Sequence, residues 1–169
     1  MKKVIAILIA VLAVIGIIIG IIAGSYNGLV SQQEEVENKH STISVQLQRR
    51  ADLIPNFVNT VKGYSDYEQK TYTAVTEARS AVSGAKTAGE QAKAAEQLDS
   101  AISVWVNAVT EAYPDLKANE NYKALQVELE GSENRIAVAR KDYNDAAKSY
   151  NSSVRRFPKN IIAGMFGFE

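Results

Sequence analysis

The sequence contains no cysteine, only one histidine and only three prolines among its 169 residues. A chain without cysteine has no disulfide, no thiolate metal ligand and no thiol nucleophile. It also has no Gly-x-Ser-x-Gly motif and only His40 for acid–base chemistry. Basic and acidic residues number 19 each, so the excess of positive charge that favours nucleic acid is absent. We therefore expect no cofactor, no metal, no nucleic-acid partner and no enzymatic activity.

Two short motifs begin like chemical sites but lack required parts. Glu37-x-x-His40 has the spacing of half a di-iron site, whose other half would need a second histidine. Gly84-x-x-x-x-Gly89 begins like a phosphate-binding loop, but Glu90 stands in place of the required lysine and no strand precedes it. Neither motif supports a metal or nucleotide site.

An apolar run occupies Val4 to Gly24, without a charged, hydroxyl or amide side chain. As a helix it would be about 30 Å long, which matches the hydrocarbon thickness of a bilayer. A secretory signal peptide is the alternative. The run is longer than a signal h-region, however, and Ala23-Gly24-Ser25 is not a typical cleavage site. We predict an uncleaved transmembrane anchor over residues 1–25.

Charges on either side of the apolar run predict its orientation. Lys2 and Lys3 precede it, whereas Glu34, Glu35 and Glu37 follow it. Because positive charge remains on the cytoplasmic side, we expect a cytoplasmic N-terminus. The chain would then cross the bacterial cytoplasmic (inner) membrane once, with its bulk outside.

Three glycines in the anchor are spaced four residues apart: Gly16, Gly20 and Gly24. They share one helix face and form two overlapping G-x-x-x-G motifs, which allow a second membrane helix to approach closely. Glycine is also common in membrane helices that make no such contact. We expect the glycine face to pack against another anchor helix.

The rest of the chain has apolar residues at helical spacing in four stretches. The predicted helices cover about residues 26–62, 66–82, 90–113 and 119–156. Pro55 lies inside the first helix, where it should cause a kink, and Gly63 follows its end. The predicted fold is all-α: an N-terminal transmembrane helix followed by an elongated up-and-down four-helix bundle over residues 26–158.

The first and fourth predicted helices are longer than the two between them, so part of the long pair should remain uncovered. The apolar side chains in that part are Leu29, Val36, Tyr143, Tyr150 and Val154. An exposed apolar seam of this kind usually marks a partner surface. We expect self-association to bury it.

Residues 159–169 form an apolar tail behind a group of basic residues. The side chains expected to meet a membrane interface are Arg155, Arg156, Lys159, Phe166 and Phe168. Bases would lie on the headgroups and aromatic rings at the acyl boundary. The alternative is a tail that packs on the bundle or on a neighbouring subunit.

Several motifs together resemble the LemA family of bacterial membrane-anchored helical proteins. They include Val45-Gln46-Leu47, Asp52-Leu53-Ile54-Pro55-Asn56, Tyr113-Pro114-Asp115-Leu116-Lys117-Ala118, Leu125-Gln126-x-Glu128-Leu129 and Arg140-x-x-Tyr143-Asn144. The resemblance implies a four-helix bundle behind one anchor. It also implies relatives associated with shaping or forming intracellular membrane compartments, and a bundle often described as cytoplasmic, opposite to the charge-based orientation. Phe57 stands where the family usually has leucine, and His40 stands near an expected tryptophan.

A set of polar residues also matches the family's motifs. Its members are Arg50, Asp52, Asn56, Glu68, Arg79, Glu128, Glu133, Arg140, Asn144 and Asn151. Inward arginines and carboxylates on neighbouring helices of a bundle normally pair and fix helix register. We expect that role for the set, with a ligand site as the alternative.

These observations favour a non-enzymatic scaffold that contacts membrane lipid, self-associates as a homo-oligomer and organises or shapes the membrane. An adaptor or sensor that binds another envelope protein, such as a transporter, protease or kinase, is the second hypothesis. A small-molecule carrier is the third.

Overall fold

The computed structural model describes the backbone of residues 2–62 and 69–168, and the side chains of residues 3–61 and 73–168. The described chain is all-helical and contains no strand in these ranges. Its elements are α1 (Lys2–Lys62), α2 (Gln69–Gly84), α3 (Ala88–Ala112), a short 3-10 helix (Pro114–Ala118), α4 (Glu120–Arg155) and α5 (Lys159–Phe166). The predicted break at Gly63 and the predicted start of the second helix near Asp66 lie outside the described residues.

Helix α1 joins the apolar run to the region that follows it without interruption. It has 61 residues, and Pro55 lies within it without ending it. The apolar side chains from Val4 to Ile21 are exposed to the surroundings, and none of the most apolar window is buried against the rest of the chain. The helix is therefore long and apolar enough to cross a membrane, as its sequence predicts.

The chain divides into two compact units, one made of residues 40–141 and the other of residues 1–39 with 142–169. In the unit of residues 40–141, three aromatic side chains from α1, α3 and α4 form the centre of the core. Phe57 lies against Trp105 with ring centroids 4.9 Å apart, and against Tyr122 at 5.1 Å. The buried Tyr122 hydroxyl is hydrogen-bonded to Thr110 at 2.7 Å, so its polar end is satisfied.

The turn between α2 and α3 is a helix cap. The Thr87 hydroxyl accepts a hydrogen bond from the Glu90 backbone, while the Glu90 carboxylate accepts from the backbone of Thr87. The backbone N–H groups of Lys86 and Thr87 lower the pKa of Glu90. Gly89 lies inside α3, so the stretch that begins like a phosphate loop serves instead to start a helix.

The unit of residues 1–39 and 142–169 has a small core of its own, in which Leu29 packs with Ile162 and Ala163 of α5. Leu29 and Tyr150 were expected in an uncovered apolar seam, but both are buried, and that part of the expectation is wrong. The cause at Leu29 is α5, which covers it. Val36, Tyr143 and Val154 are half-buried.

We predict that Phe57→Leu lowers the free energy of unfolding by about 1–2 kcal/mol. The substitution keeps an apolar side chain but removes two ring contacts, each of which contributes about 0.5–1.5 kcal/mol beyond buried area. A denaturant titration of the full chain in detergent micelles, followed by fluorescence of the single tryptophan, Trp105, would measure it. The exposed Val127 on α4 offers a control, since Val127→Ala should cost less than about 0.5 kcal/mol. Equal losses in the two variants would contradict the prediction.

Candidate functional site

A buried arginine connects three helices within the unit of residues 40–141. Arg50 lies on α1, and its side chain is only 7% exposed. Its Nη1 atom donates a hydrogen bond to Glu133 on α4 and lies 2.5 Å from Asp99 Oδ1 on α3. A buried guanidinium is tolerated when it is paired in this way. The cluster therefore holds α1, α3 and α4 at one level.

The two carboxylates of this cluster differ in their surroundings. Burial raises the pKa of Asp99 above that of an ordinary aspartate. Arg50 lowers the same pKa, Glu133 raises it, and Arg140 lowers it by a smaller amount. Removal from water therefore outweighs the attraction of the arginines. Asp99 therefore binds a proton more readily in the folded protein than an ordinary aspartate does.

A cleft of about 320 Å³ lies beside the arginine cluster. Its walls combine apolar side chains, such as Ile102 and Leu129, with the polar side chains of Asn107 and Gln126. The Arg50 Nε atom, among the described residues, has no hydrogen-bond partner. The described parts of the chain also contain no group of three residues arranged to hold a metal ion.

The remaining members of the predicted polar set are dispersed. Arg79 on α2 lies 3.8 Å from Asp52 on α1, and both side chains are substantially exposed. Glu128 accepts a hydrogen bond of 3.0 Å from Arg135, seven residues along the same helix. The side chains of three others are exposed, namely Asn56, Asn144 and Asn151. Glu68 lies outside the described residues. The structure thus brings together Arg50 with Glu133 and Asp52 with Arg79, rather than all the set in one network.

Asp99 was missed by the sequence analysis, although it lies in the central cluster. The sequence does contain a signal for it. Asp99 stands four residues after Ala95 and three before Ile102, both of which belong to the buried stripe of α3. Residues at this spacing share a helix face. A carboxylate at the edge of an apolar stripe therefore indicated a partner of opposite charge.

The glycine face of α1 is open. At Gly16, Gly20 and Gly24, the position that a Cβ atom would take has nothing else within 4 Å outside the helix's own backbone. The described chain therefore leaves a shallow groove along the apolar segment.

The tail packs against α1 in its own unit. The Tyr26 ring meets the rings of Phe166 and Phe168 edge-on, with centroids 4.9 and 5.5 Å apart. Lys159 lies close over Gly28 and is half-buried, whereas Arg155 and Arg156 are exposed. These contacts correspond to packing on the chain itself, one of the two arrangements expected for residues 159–169.

The fold and its sites define the class of the protein, an all-helical chain with a candidate membrane-spanning helix at its N-terminus. The described chain is all-helical, begins with an apolar helix long enough to cross a membrane, and pairs its most buried charge with carboxylates from two other helices.

The chain belongs to the LemA family, whose model matches residues 39–169. Protein LemA from Metamycoplasma hominis is 32% identical over 143 residues, which cover 83% of this chain and 64% of the relative. Magnetosome protein MamQ 2 from Paramagnetospirillum magneticum is 27% identical over 169 residues, with 85% and 62% covered. Magnetosome protein MamQ from Magnetospirillum gryphiswaldense is 24% identical with the same coverage. The chain spans a little under two thirds of the length of these relatives. Together the matches describe a membrane-associated bacterial protein.

Removing the buried arginine should destabilise the fold far more than removing an exposed one. We expect Arg50→Met to lower the free energy of unfolding by about 2–3 kcal/mol, because Asp99 and Glu133 would lose their shared cation while partly removed from water. Arg79→Met breaks a longer, exposed pair and should cost less than about 1 kcal/mol. The Trp105 titration in micelles measures both variants. Similar losses in the free energy of unfolding would show that the Arg50 cluster contributes no more to stability than the exposed pair of Arg79 and Asp52.

The raised pKa of Asp99 predicts a pH dependence of stability. Between the ordinary aspartate pKa and the raised value, the folded protein holds a proton at Asp99 that the unfolded chain has released. This group therefore adds stability as the pH falls through that window and costs stability above it. Asp99→Asn removes the effect. We expect the stability of the native sequence, relative to this variant, to increase from about pH 7 to about pH 4. Asp115→Asn, which removes an exposed carboxylate, controls for net charge, and parallel pH profiles for native protein and Asp99→Asn would refute the prediction.

Proposed function

We propose that the protein is a non-enzymatic scaffold, anchored in a bacterial membrane, whose copies associate through one face of the apolar part of α1. The observation that carries the proposal is the glycine face, which is open along Gly16, Gly20 and Gly24. Close packing between membrane helices depends on small residues, because apolar side chains gain little from leaving lipid for a protein surface. A second copy of the same helix would fill the groove.

Small residues extend this face toward the N-terminus. Ala13 lies seven residues before Gly20, and Ala6 lies seven before Ala13, so all three share one side of the helix. Both alanines are exposed. The face thus runs along most of the apolar segment, which supports pairing over several turns instead of at one crossing point.

The proposal for the rest of the chain is a four-helix bundle built from α1, α2, α3 and α4. Support comes from contacts that α1 makes in the unit of residues 40–141: with α2 through Asp52, with α3 through Phe57 and with α4 through Arg50. The most buried charged group of this unit, Arg50, is paired with carboxylates from two other helices, which favours a structural role over catalysis. Similarity to relatives named as magnetosome proteins supports a role in organising a bacterial membrane.

The orientation of the anchor belongs to the same proposal. Lys2 and Lys3 at the start of α1 favour a cytoplasmic N-terminus in the inner membrane, with the bundle on the other side.

A second candidate is an adaptor that holds another membrane protein. A groove of about 960 Å³ between α2 and α3 supports it, since small side chains such as Ala74, Ala81 and Ala101 form much of its wall. Val104 at its edge is exposed. A partner helix would find space there, whereas the scaffold proposal does not require this groove.

Larger side chains on the glycine face should weaken the association of the copies. We expect the double variant Gly16→Ile and Gly20→Ile to weaken association at least about tenfold, a change of about 1.4 kcal/mol. Energy transfer between copies of the full chain in vesicles, labelled at a cysteine introduced at the exposed Glu34, measures it; the chain has no cysteine of its own.

Val11→Phe is the control, because Val11 lies about 180° round the helix from Gly20 at about 100° per residue. It should leave the energy transfer unchanged. A native chain that shows no transfer at any protein-to-lipid ratio would overturn the scaffold proposal. A single foreign band after cross-linking in cells would then favour the adaptor.

A further inference from the structure

Helix α5 presents apolar side chains on two sides. Ile162 and Ala163 face α1 and are buried there. Ile161 and Met165, by contrast, are 52% and 67% exposed, and Phe157 just before the helix is 80% exposed. Packing within the chain therefore accounts for only one side of α5. The outward side, defined by Ile161 and Met165, is unpartnered among the described residues.

The end of α5 is held firmly on α1. Gly167 has a φ of 73°, a left-handed conformation that glycine adopts without strain. The backbone N–H of Phe168 then donates to the carbonyl of Ala163 at 3.0 Å. This turn brings Phe168 back to the Tyr26 ring. The outward side of α5 consequently has a defined direction relative to α1.

The contacts on α1 determine how deep α5 lies relative to a membrane. They involve Ile22, Tyr26 and Leu29, which stand at the end of the apolar run and just beyond it. When the run spans the hydrocarbon layer, its last residues reach the boundary between acyl chains and headgroups. Tyrosine is favoured at that boundary. Helix α5 must then lie at the same level.

The residues around the start of α5, at the level of the bilayer boundary, carry a net positive charge. Arg155 and Arg156 are exposed, and the half-buried Lys159 begins α5 three residues after Arg156. No aspartate or glutamate occurs between Ala146 and Phe168. Clustered basic residues next to apolar side chains at a membrane surface attract anionic headgroups, by about 1 kcal/mol per basic residue.

We propose that the outward side of α5 is a lipid-binding surface. Its apolar side chains enter the acyl boundary, and the basic group formed by Arg155, Arg156 and Lys159 binds the phosphates of anionic phospholipids. The surface rests on the membrane anchoring proposed above, but it does not depend on self-association. A second copy is a less suitable occupant, because a side fixed at the level of the bilayer boundary meets lipid first.

Nitroxide labels on single introduced cysteines test this surface in the full chain. Met165→Cys reports the outward side of α5, Ile15→Cys reports the bilayer interior, and Glu34→Cys lies about 15 Å beyond Gly24 at about 1.5 Å per residue. The protein is placed at one copy per phosphatidylglycerol nanodisc. Accessibility to oxygen and to a water-soluble nickel complex gives the depth of each label, and the Trp105 unfolding midpoint verifies the fold of each variant.

We expect the ratio of oxygen to nickel accessibility at Met165 to be several-fold above that at Glu34 and below that at Ile15. A Met165 label as accessible to nickel as the Glu34 label would overturn the inference while Ile15 still reports an intact anchor. An Ile15 label in water would overturn the anchor and the lipid surface together. Spin–spin broadening at Met165 when several copies share a disc, with nickel access when one is alone, would identify a second copy as the occupant and refute the lipid surface.

The binding of anionic headgroups by the basic group is tested by changing either the lipid or the protein. Replacing phosphatidylglycerol with phosphatidylcholine should move the Met165 label toward water, and so should the double variant Arg155→Gln and Arg156→Gln in phosphatidylglycerol. In the double variant, the depth of the Met165 label should be the same in phosphatidylglycerol and in phosphatidylcholine. Depths that stay the same in both lipids and in both proteins would refute the binding of anionic headgroups.

Discussion

The continuity of α1 is the constraint on which the other features depend. An apolar run that crosses a bilayer has to be helical, because its backbone groups must be hydrogen-bonded within the chain. No glycine or proline ends that helix before Lys62. The same element therefore supplies Leu29 to the tail, Arg50 to the buried ion pairs and Phe57 to the aromatic core.

The Arg50 cluster illustrates how packed helices can use charge for specificity at a cost in stability. The raised pKa of Asp99 shows that burial disfavours its charged form even beside an arginine. Apolar residues of similar size could pack there with equal or greater stability, but they would also accept neighbouring registers. Glu133 provides the second contact, so the Nη1 atom of Arg50 meets carboxylates from α3 and from α4. This favours a role in fixing α3 and α4 against α1.

The tail covers part of the apolar surface that the sequence predicts to be exposed. Helical periodicity marks Leu29 as part of an uncovered seam, yet α5 covers it. The segment that removes one exposed surface creates another, because Met165 and Ile161 lie on its opposite side. A helix that packs against a single neighbour buries only the side that faces it. The apolar surface that remains is therefore next to the apolar segment of α1.

The sequence alone determined the all-helical class, the membrane-spanning length of the first helix and most helix ends. These depend on local properties: apolar periodicity, backbone propensity and prolines such as Pro114 and Pro158. It also indicated Arg50 and Glu133 as polar members of the core. Only the tertiary structure decided that Asp99 joins them and that Leu29 is covered by α5. Such contacts depend on the angular position of residues far apart in the chain, which a one-dimensional pattern defines too coarsely.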